Sequence, residues 1–222
     1  MLGQALAGSG RPFVSTSGTL VMRAGRLSTE LDAPDPGSVA AFRIAGEQAC
    51  LRFADRGVRA AVVRLAPTVH GPADHGFIPA LVAAARRAGV SAHIGDGANR
   101  WPAIHRSDAA RLFRLALEDA PAGSVLHGVG ESAVTIRSIA EQIAEILAVP
   151  TASLTLDQAV EHLGNPFLAR FFSLDVPVSS EHTQALLGWA PKHATLLDDL
   201  ATGDYFTPEA SRRAEAIWSP RP

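Results

Sequence analysis

The feature that most constrains the fold is a nearly continuous apolar run, VRAAVVRLAPTV, over residues 58–69. A strand with one face in water alternates apolar and polar residues, whereas a strand buried on both faces of a parallel sheet does not. The run therefore predicts a central strand of a parallel sheet that is covered by helices.

Other segments have the composition of strands. Residues 11–18 are apolar and β-branched and end in glycine, and residues 123–130 (GSVLHGVG) predict a further buried strand. Residues 91–97 (SAHIGDG) predict a short strand and a turn. Helix-periodic segments separate these strands, which is typical of a parallel α/β sheet. The helices are predicted over residues 41–53, 77–88, 109–120 and 136–149.

Capping residues mark where these helices begin and end. Glycine follows the first two, at Gly57 and Gly89, and Pro150 ends the fourth. Ser107 or Asp108 is predicted to cap the third helix and Thr135 the fourth.

Beyond Pro150 the pattern is looser. Residues 155–164 predict a helix, residues 165–180 are apolar and irregular, and a short helix is expected to end near residue 200. Residues 207–222, with proline at both ends, are expected to form a partly mobile tail. We therefore predict an α/β fold, a partial Rossmann-like parallel sheet over residues 1–150 with a small substrate-capping lobe and tail over residues 151–222.

Composition limits the class of protein. The chain has 222 residues, of which 47% are hydrophobic and 19% charged, as in a globular domain. Its formal charge of -2 provides no net positive charge that would attract the phosphates of a nucleic acid. There is no uninterrupted run of eighteen apolar residues, and the single cysteine, Cys50, excludes an internal disulfide. We expect a cytoplasmic protein that binds neither nucleic acid nor membrane.

Three segments resemble, in order and spacing, the extended short-chain dehydrogenases/reductases. They are FVSTSGT (residues 13–19), VVRLAPTVHGP (residues 62–72) and GDGANRWPAIHRSDAARLFRLALE (residues 95–118). The chain resembles the C-terminal half to two-thirds of an atypical member of the NAD-dependent epimerase/dehydratase group. The resemblance implies NAD or NADP as cofactor, a small-molecule substrate, and redox chemistry or epimerisation at a secondary alcohol or its ketone.

One departure from the family concerns its acid/base pair. The family uses a tyrosine that exchanges a proton with the substrate and a lysine four residues later that lowers the tyrosine's pKa. These two positions hold Val39 and Arg43 in this chain. The sole tyrosine is Tyr205 and the sole lysine is Lys192, so a Tyr-x-x-x-Lys pair cannot occur in this sequence.

The resemblance also implies site residues. Ser17 matches the catalytic serine and is the candidate catalytic residue. The candidate cofactor contacts are Arg43, Pro67, Thr68 and Val69. The candidate substrate contacts are Thr19, His70, Asn99, Arg100 and His105, of which the last three are expected in a polar-aromatic loop.

Several other residues receive a structural interpretation. His70, Asp74 and His75 are close in sequence, but they lie in a proline-glycine loop without further ligands, so we expect no metal site. Glu47 is expected at the helix surface or as a loop tether. Trp189 is expected to pack the C-terminal lobe onto the sheet.

A second departure concerns the phosphate-binding turn. The glycine cluster GQALAGSG (residues 3–10) precedes the first predicted strand, whereas the family's glycine-rich turn follows one. We therefore expect a truncated or misassigned start, with the first strands of the sheet missing.

Three hypotheses about function stay open. The first is an oxidoreductase of the family. The second is a non-catalytic or truncated homologue that acts as a binding protein or subunit, or that has no activity alone, and the third is a chain that pairs with a second polypeptide. A homodimer through the helix near Ser38 is also left open.

Overall fold

The computed structural model describes residues 2–212 as eight strands with helices packed around them. The strands are β1 (Pro12–Gly18), β2 (Arg59–Leu65), β3 (Thr68–His70), β4 (Ser91–Ile94), β5 (Arg100–His105), β6 (Ser124–Gly128), β7 (Glu131–Thr135) and β8 (Thr151–Leu154). The α-helices are α1 (Leu2–Leu6), α2 (Ile44–Leu51), α3 (Phe77–Ala88), α4 (Arg106–Asp119), α5 (Ile136–Leu147), α6 (Leu156–Leu163), α7 (Pro166–Phe172), α8 (Glu181–Leu187) and α9 (Leu196–Thr202).

The central sheet is parallel, in the order β1-β2-β6. Successive side chains of β2 point to opposite faces, and both faces are covered. Ala60 and Val62 pack with Cys50 of α2, while Ala61 and Val63 join the main core on the other face. The predicted parallel α/β sheet is therefore confirmed. Strand β1 forms an edge of this sheet, and most of its residues are partly exposed.

The predicted strand over residues 58–69 is in fact two strands. It breaks at Ala66–Pro67, and β3 leaves the central sheet to join a second one, in the order β3-β5-β7. Proline lacks the N–H that a continuing parallel ladder needs, which accounts for the break. The third sheet pairs β4 with β8 in parallel.

The expectation of a loop was wrong for Arg100 and His105, because residues 100–105 form β5. Asn99 lies in the loop directly before this strand. Strand β5 pairs in parallel with β3 and antiparallel with β7. The register of β5 against β7 shifts between Trp101 and Ala103, on either side of Pro102. A strand tolerates proline at a bulge. Pro102 favours a loop when the sequence is considered alone, but pairing with the neighbouring strands keeps this segment in a strand.

The helix boundaries mostly follow the predicted caps. Helix α3 ends at Gly89, which has a left-handed φ of 65°. The Thr135 side chain accepts a hydrogen bond from the Ser138 N–H at the start of α5. The predicted cap of α4 was wrong: the N-cap is His105, whose Nδ1 accepts from the Ser107 N–H.

Asp108 instead joins the segment around Lys192 to α4. Its buried carboxylate accepts hydrogen bonds from the backbone N–H groups of Lys192 and His193, both at 3.0 Å. Burial acts to raise the pKa of Asp108, but the bonds from His193 and Lys192 outweigh it, so the pKa lies below its ordinary value. The Trp189 ring is buried nearby, and its Nε1 donates to the Asp108 carbonyl at 3.3 Å.

The segment after Pro150 is more regular than its sequence indicated. Helix α7 lies within the stretch expected to be irregular, with Asn165 as its N-cap and proline in its first turn. Pairing of β4 with β8 joins residues on both sides of position 150, and the division of the chain there stays a prediction. The expected mobile tail lies largely in residues 213–222, outside the described residues. Across residues 2–212, no helix is long and apolar enough to cross a membrane.

Candidate functional site

A row of polar side chains crosses the central sheet near the carboxyl ends of its strands. Ser17 of β1 is in register with Arg64 of β2, and Arg64 is in register with His127 of β6. Residues in register across parallel strands point to the same face, so the three side chains lie side by side. All three are buried.

Helix α2 places a carboxylate over this row. The Ser17 hydroxyl donates to Oε1 of Glu47 at 2.5 Å, and Arg64 donates to Glu47 through Nε at 3.1 Å and Nη2 at 2.7 Å. Glu47 and Arg64 are each 3% exposed. The expectation that Glu47 lies at the helix surface was wrong, because a guanidinium buried in a strand needs a counter-charge and Glu47 supplies it.

This network fixes the direction in which the Ser17 hydroxyl donates its hydrogen bond. A carboxylate paired with arginine can only accept hydrogen bonds, so the Ser17 hydrogen is directed at Glu47. The lone pairs of Ser17 Oγ are then the part of the hydroxyl that remains for a ligand. Ser17 can therefore accept a hydrogen bond from a ligand hydroxyl.

His127 continues the buried network toward residues 179–183. Its Nδ1 is 2.9 Å from the Ser179 carbonyl, and its backbone N–H donates to Oγ1 of Thr183 at 2.8 Å. The Thr183 hydroxyl in turn donates to Glu30 at 2.5 Å. Burial lowers the pKa of His127, which favours the neutral ring.

A cavity of about 320 Å³ opens beside Ser17, at the carboxyl ends of β1 and β2. Ligands of open parallel sheets bind at this edge, where the strands end. The polar side chains that line the cavity are Thr16, Ser17 and Arg43. The aromatic ones are Phe42, Phe77, Phe167 and Phe171, and the remaining lining residues are small or aliphatic.

The structure brings four of the candidate residues to this cavity: Ser17, Arg43, Pro67 and Val69. Thr68 and His70, on either side of Val69 in β3, point to the opposite face and are buried. Thr19 is fully buried in the short 3₁₀ turn after β1. These three side chains do not line this cavity.

Asn99 and Arg100 hold residues 172–175 in place and do not line the cavity. The Asn99 amide donates to the carbonyls of Phe172 at 2.7 Å and Leu174 at 3.0 Å. The Arg100 guanidinium donates to both oxygens of Asp175, each at 2.9 Å. Their polar groups are thus engaged within the chain.

His70 and His105 line a separate cavity of about 180 Å³. His70 Nδ1 is 2.9 Å from Asp199, and the His105 ring stacks on His193 with centroids 4.7 Å apart. Burial lowers the pKa of His70, and the hydrogen bond to Asp199 only partly opposes this. Over the described range 2–212, no three histidine, cysteine, aspartate or glutamate side chains are arranged to hold a metal ion.

The residues that sequence reasoning missed are Arg64 and the four phenylalanines. Arg64 had a signal: it is a charged residue within a run predicted to be buried on both faces, and such a residue requires a buried partner. Phe167 and Phe171 belong to the segment expected to be irregular, so no periodic pattern related them to the cavity.

The cavity fits one end of a nicotinamide dinucleotide. The Arg43 guanidinium can donate to ribose hydroxyls, and Pro67 and Val69 form an apolar wall for a flat ring. The glycine cluster at residues 3–10 does not fit the pyrophosphate. The N–H groups of Gly8 and Gly10 are bonded to the carbonyls of Arg56 and Gly57, both at 2.8 Å, and are not free to hold a phosphate.

Comparison with known proteins supports the same relationship. Residues 26–127 match the model of the NAD dependent epimerase/dehydratase family. An uncharacterized protein of Schizosaccharomyces pombe is 48% identical over 207 residues, which cover 92% of this chain and 68% of the relative. An uncharacterized protein of Saccharomyces cerevisiae is 45% identical over 197 residues, which cover 89% of this chain and 65% of the relative. The chain thus spans about two thirds of their length.

Solved structures show the same fold. MoeE5, in complex with UDP-glucuronic acid and NAD, matches with a TM-score of 0.72 and 26% identity over 96% of this chain and 69% of that protein. DesIV, a dTDP-glucose 4,6-dehydratase from Streptomyces venezuelae with NAD bound, matches with a TM-score of 0.72 and 22% identity over 99% of this chain and 66% of that protein.

Proposed function

Because the chain belongs to the NAD-dependent epimerase/dehydratase family, we propose that it is an NAD(P)-dependent oxidoreductase or epimerase that acts on a secondary alcohol or the corresponding ketone. The observation that carries the proposal is the hydrogen bond from Ser17 to Glu47 beside the cavity. It leaves Ser17 Oγ ready to accept a hydrogen bond from the hydroxyl that reacts.

The proposed cofactor is NAD or NADP. MoeE5 and DesIV bind NAD, and a structural relative from Pseudomonas aeruginosa, RMD, binds NADPH. Arg43, Pro67 and Val69 would hold its nicotinamide-ribose end, and Thr68 would contribute backbone groups only, because its side chain faces the core. A bound nicotinamide supplies the hydride acceptor or donor.

The remaining chemistry falls to the residues of the chain. Val39 has no proton to exchange, and the guanidinium of Arg43 offers hydrogen-bond donors but no acceptor for a proton. Ser17 is a cavity-lining hydroxyl with a carboxylate behind it. When an alcohol is oxidised, its hydroxyl proton passes to Ser17 Oγ while the Ser17 proton passes to Glu47. Reduction of the ketone runs the same transfer in reverse.

The C-terminal lobe completes the site in this proposal. Helix α7, which follows residue 150, contributes Phe167 and Phe171 to the cavity. Residues 151–212 thus supply a wall of the site, and the central sheet supplies Ser17.

A second function, a binding protein without catalysis, is favoured by one observation. Val39 and Arg43 stand where the family has its proton-exchanging tyrosine and its lysine. A chain that binds the dinucleotide but relies on no acid/base pair would act as a sensor or as a subunit.

Two measurements on the purified chain separate these functions. Titration calorimetry with NADH and NADPH measures dinucleotide binding, and loss of reduced-nicotinamide absorbance with a panel of ketones measures turnover. Ser17→Ala is expected to lower kcat by about a hundredfold or more, the usual contribution of a positioned proton-transfer group, while the dinucleotide Kd changes little. Ser15→Ala, on the same strand but outside the cavity, is the matched control.

Each outcome decides between the functions. Binding without turnover of any ketone would favour the binding protein. Turnover that Ser17→Ala leaves unchanged would contradict the role of Ser17. Failure to bind either dinucleotide would overturn the proposed function.

A further inference from the structure

The cavity beside Ser17 has an aromatic wall that extends to the surface. Phe167 and Phe42, which stand at the cavity, are 53% and 74% exposed. The Phe167 ring lies against that of Phe171 with centroids 4.2 Å apart, and Phe171 stacks on Phe77 at 5.9 Å. Exposed large aromatic side chains around a concave site indicate an apolar ligand, because a ligand would remove their surface from water.

The charges at the cavity are few. Among residues 2–212, Arg43 is the one charged side chain that lines it. A nucleoside diphosphate carries at least two negative charges and is held by several arginine, lysine or backbone N–H donors. Arg43 is also the residue proposed to meet the cofactor ribose, so it is not free to neutralise the diphosphate of a nucleotide sugar.

The adjoining cavity, of about 380 Å³, offers one arginine, and that arginine is already hydrogen-bonded within the chain. It shares Pro67 and Val69 with the first cavity and is lined by Arg106 and Asp74. The Arg106 guanidinium donates to the carbonyl of Pro72. The Asp74 carboxylate accepts from the Gly76 N–H at 2.6 Å, directly before α3, and an anion there would face a carboxyl group instead of a positive helix end.

We propose that the cavity beside Ser17 binds a compact apolar ketone or secondary alcohol, aromatic or aliphatic, and not a nucleotide sugar. This inference rests on the proposed function. The hydroxyl of an alcohol donates to Ser17 Oγ, and the apolar remainder of the alcohol or ketone packs between Phe167, Phe171 and Phe77. The cavity, of about 320 Å³, is at the lower end of the range for small-molecule sites, about 300–1,000 Å³. Because the nicotinamide end of the cofactor would take part of this volume, only a compact ligand fits beside it.

The experiment compares two probes on the full chain. Acetophenone, a small aromatic ketone, and UDP-glucose are each titrated by saturation-transfer NMR, with and without NADH. Acetophenone is expected to bind saturably and UDP-glucose is not. Phe167→Ala is expected to weaken acetophenone about fivefold to tenfold, through loss of one ring contact at a partly exposed site. Leu31→Ala removes a large exposed side chain, 81% exposed, that does not line the cavity, and it is expected to leave acetophenone binding unchanged.

Three results would overturn the inference: no saturable binding of acetophenone, equal binding in Phe167→Ala and wild type, or binding of UDP-glucose that Arg43→Gln abolishes. Failure of the proposed function is distinguishable. If NADH does not bind but acetophenone binds through Phe167, the oxidoreductase function is wrong and the ligand class stands. If NADH binds and UDP-glucose takes the place of acetophenone, the function stands and the ligand class is wrong.

Discussion

The ion pair between Glu47 and Arg64 gives the sharpest prediction about stability. Both side chains are 3% exposed, and two nitrogens of the guanidinium donate to the carboxylate. Arg64→Met removes the cation and leaves a buried carboxylate with its hydrogen bond from Ser17. Removal of one partner from a buried ion pair costs about 3–5 kcal/mol, because the remaining charge has no counter-charge and no water.

The double variant Glu47→Leu/Arg64→Met should behave differently from the sum of the single ones. It replaces both charges by apolar side chains of similar size, so neither desolvated charge remains, and such replacements are often neutral or stabilising. We expect its free energy of unfolding to lie near that of the wild type. The two substitutions should therefore be strongly non-additive.

Urea unfolding followed by circular dichroism measures these changes. With a slope of about 2 kcal/mol per molar urea, a loss of 3–5 kcal/mol lowers the midpoint by about 1.5–2.5 M. Arg52→Met, an exposed arginine beside α2, is the control and should leave the midpoint nearly unchanged. A shift below about 0.5 M for Arg64→Met, or a double variant as unstable as the two single changes added together, would refute the reasoning.

Two further predictions concern other buried polar groups. Asp108→Ala should lower the free energy of unfolding by about 2–3 kcal/mol, because the N–H groups of Lys192 and His193 lose their hydrogen-bond acceptor. Urea unfolding measures this loss, and an unchanged midpoint would contradict the role of Asp108 in holding the segment around Lys192. Burial lowers the pKa of His127 below about 6.5, so the unfolded chain takes up a proton that the folded chain does not, and stability should decrease as pH falls below about 6.5. In His127→Gln, the free energy of unfolding should decrease less between pH 7 and 5.5 than in the wild type, by up to about 1.4 kcal/mol per pH unit. An unchanged pH dependence would contradict the role of His127 as the group that takes up the proton on unfolding.

Local patterns in the sequence determined the central part of the fold. The apolar run around β2 predicted a parallel strand buried on both faces, and Gly89 and Thr135 marked where α3 ends and α5 begins. These features depend on the chain's own backbone and on neighbours within a few residues, so the sequence alone is sufficient. The order of the motifs also predicted the family.

Long-range pairing decided the rest. Strand β5 was not predicted, because Pro102 argues against a strand until β3 and β7 pair on either side of it. Strand β8 forms only because β4 lies beside it. A four-residue segment has no periodicity of its own, and its neighbour is some 60 positions away in the sequence.

The site shows the same division. The sequence proposed Ser17 as a catalytic residue, and the structure places it at the cavity. Glu47 was expected at the helix surface or as a loop tether, but it is buried against Ser17 and Arg64. Asn99 and Arg100 were proposed as substrate contacts, but their side chains bond to residues 172–175. Charged and polar residues have no fixed place in a periodic pattern, since their burial depends on whether a partner approaches in three dimensions. The sequence therefore determined which groups the chain carries, and only the tertiary structure decided which of them meet.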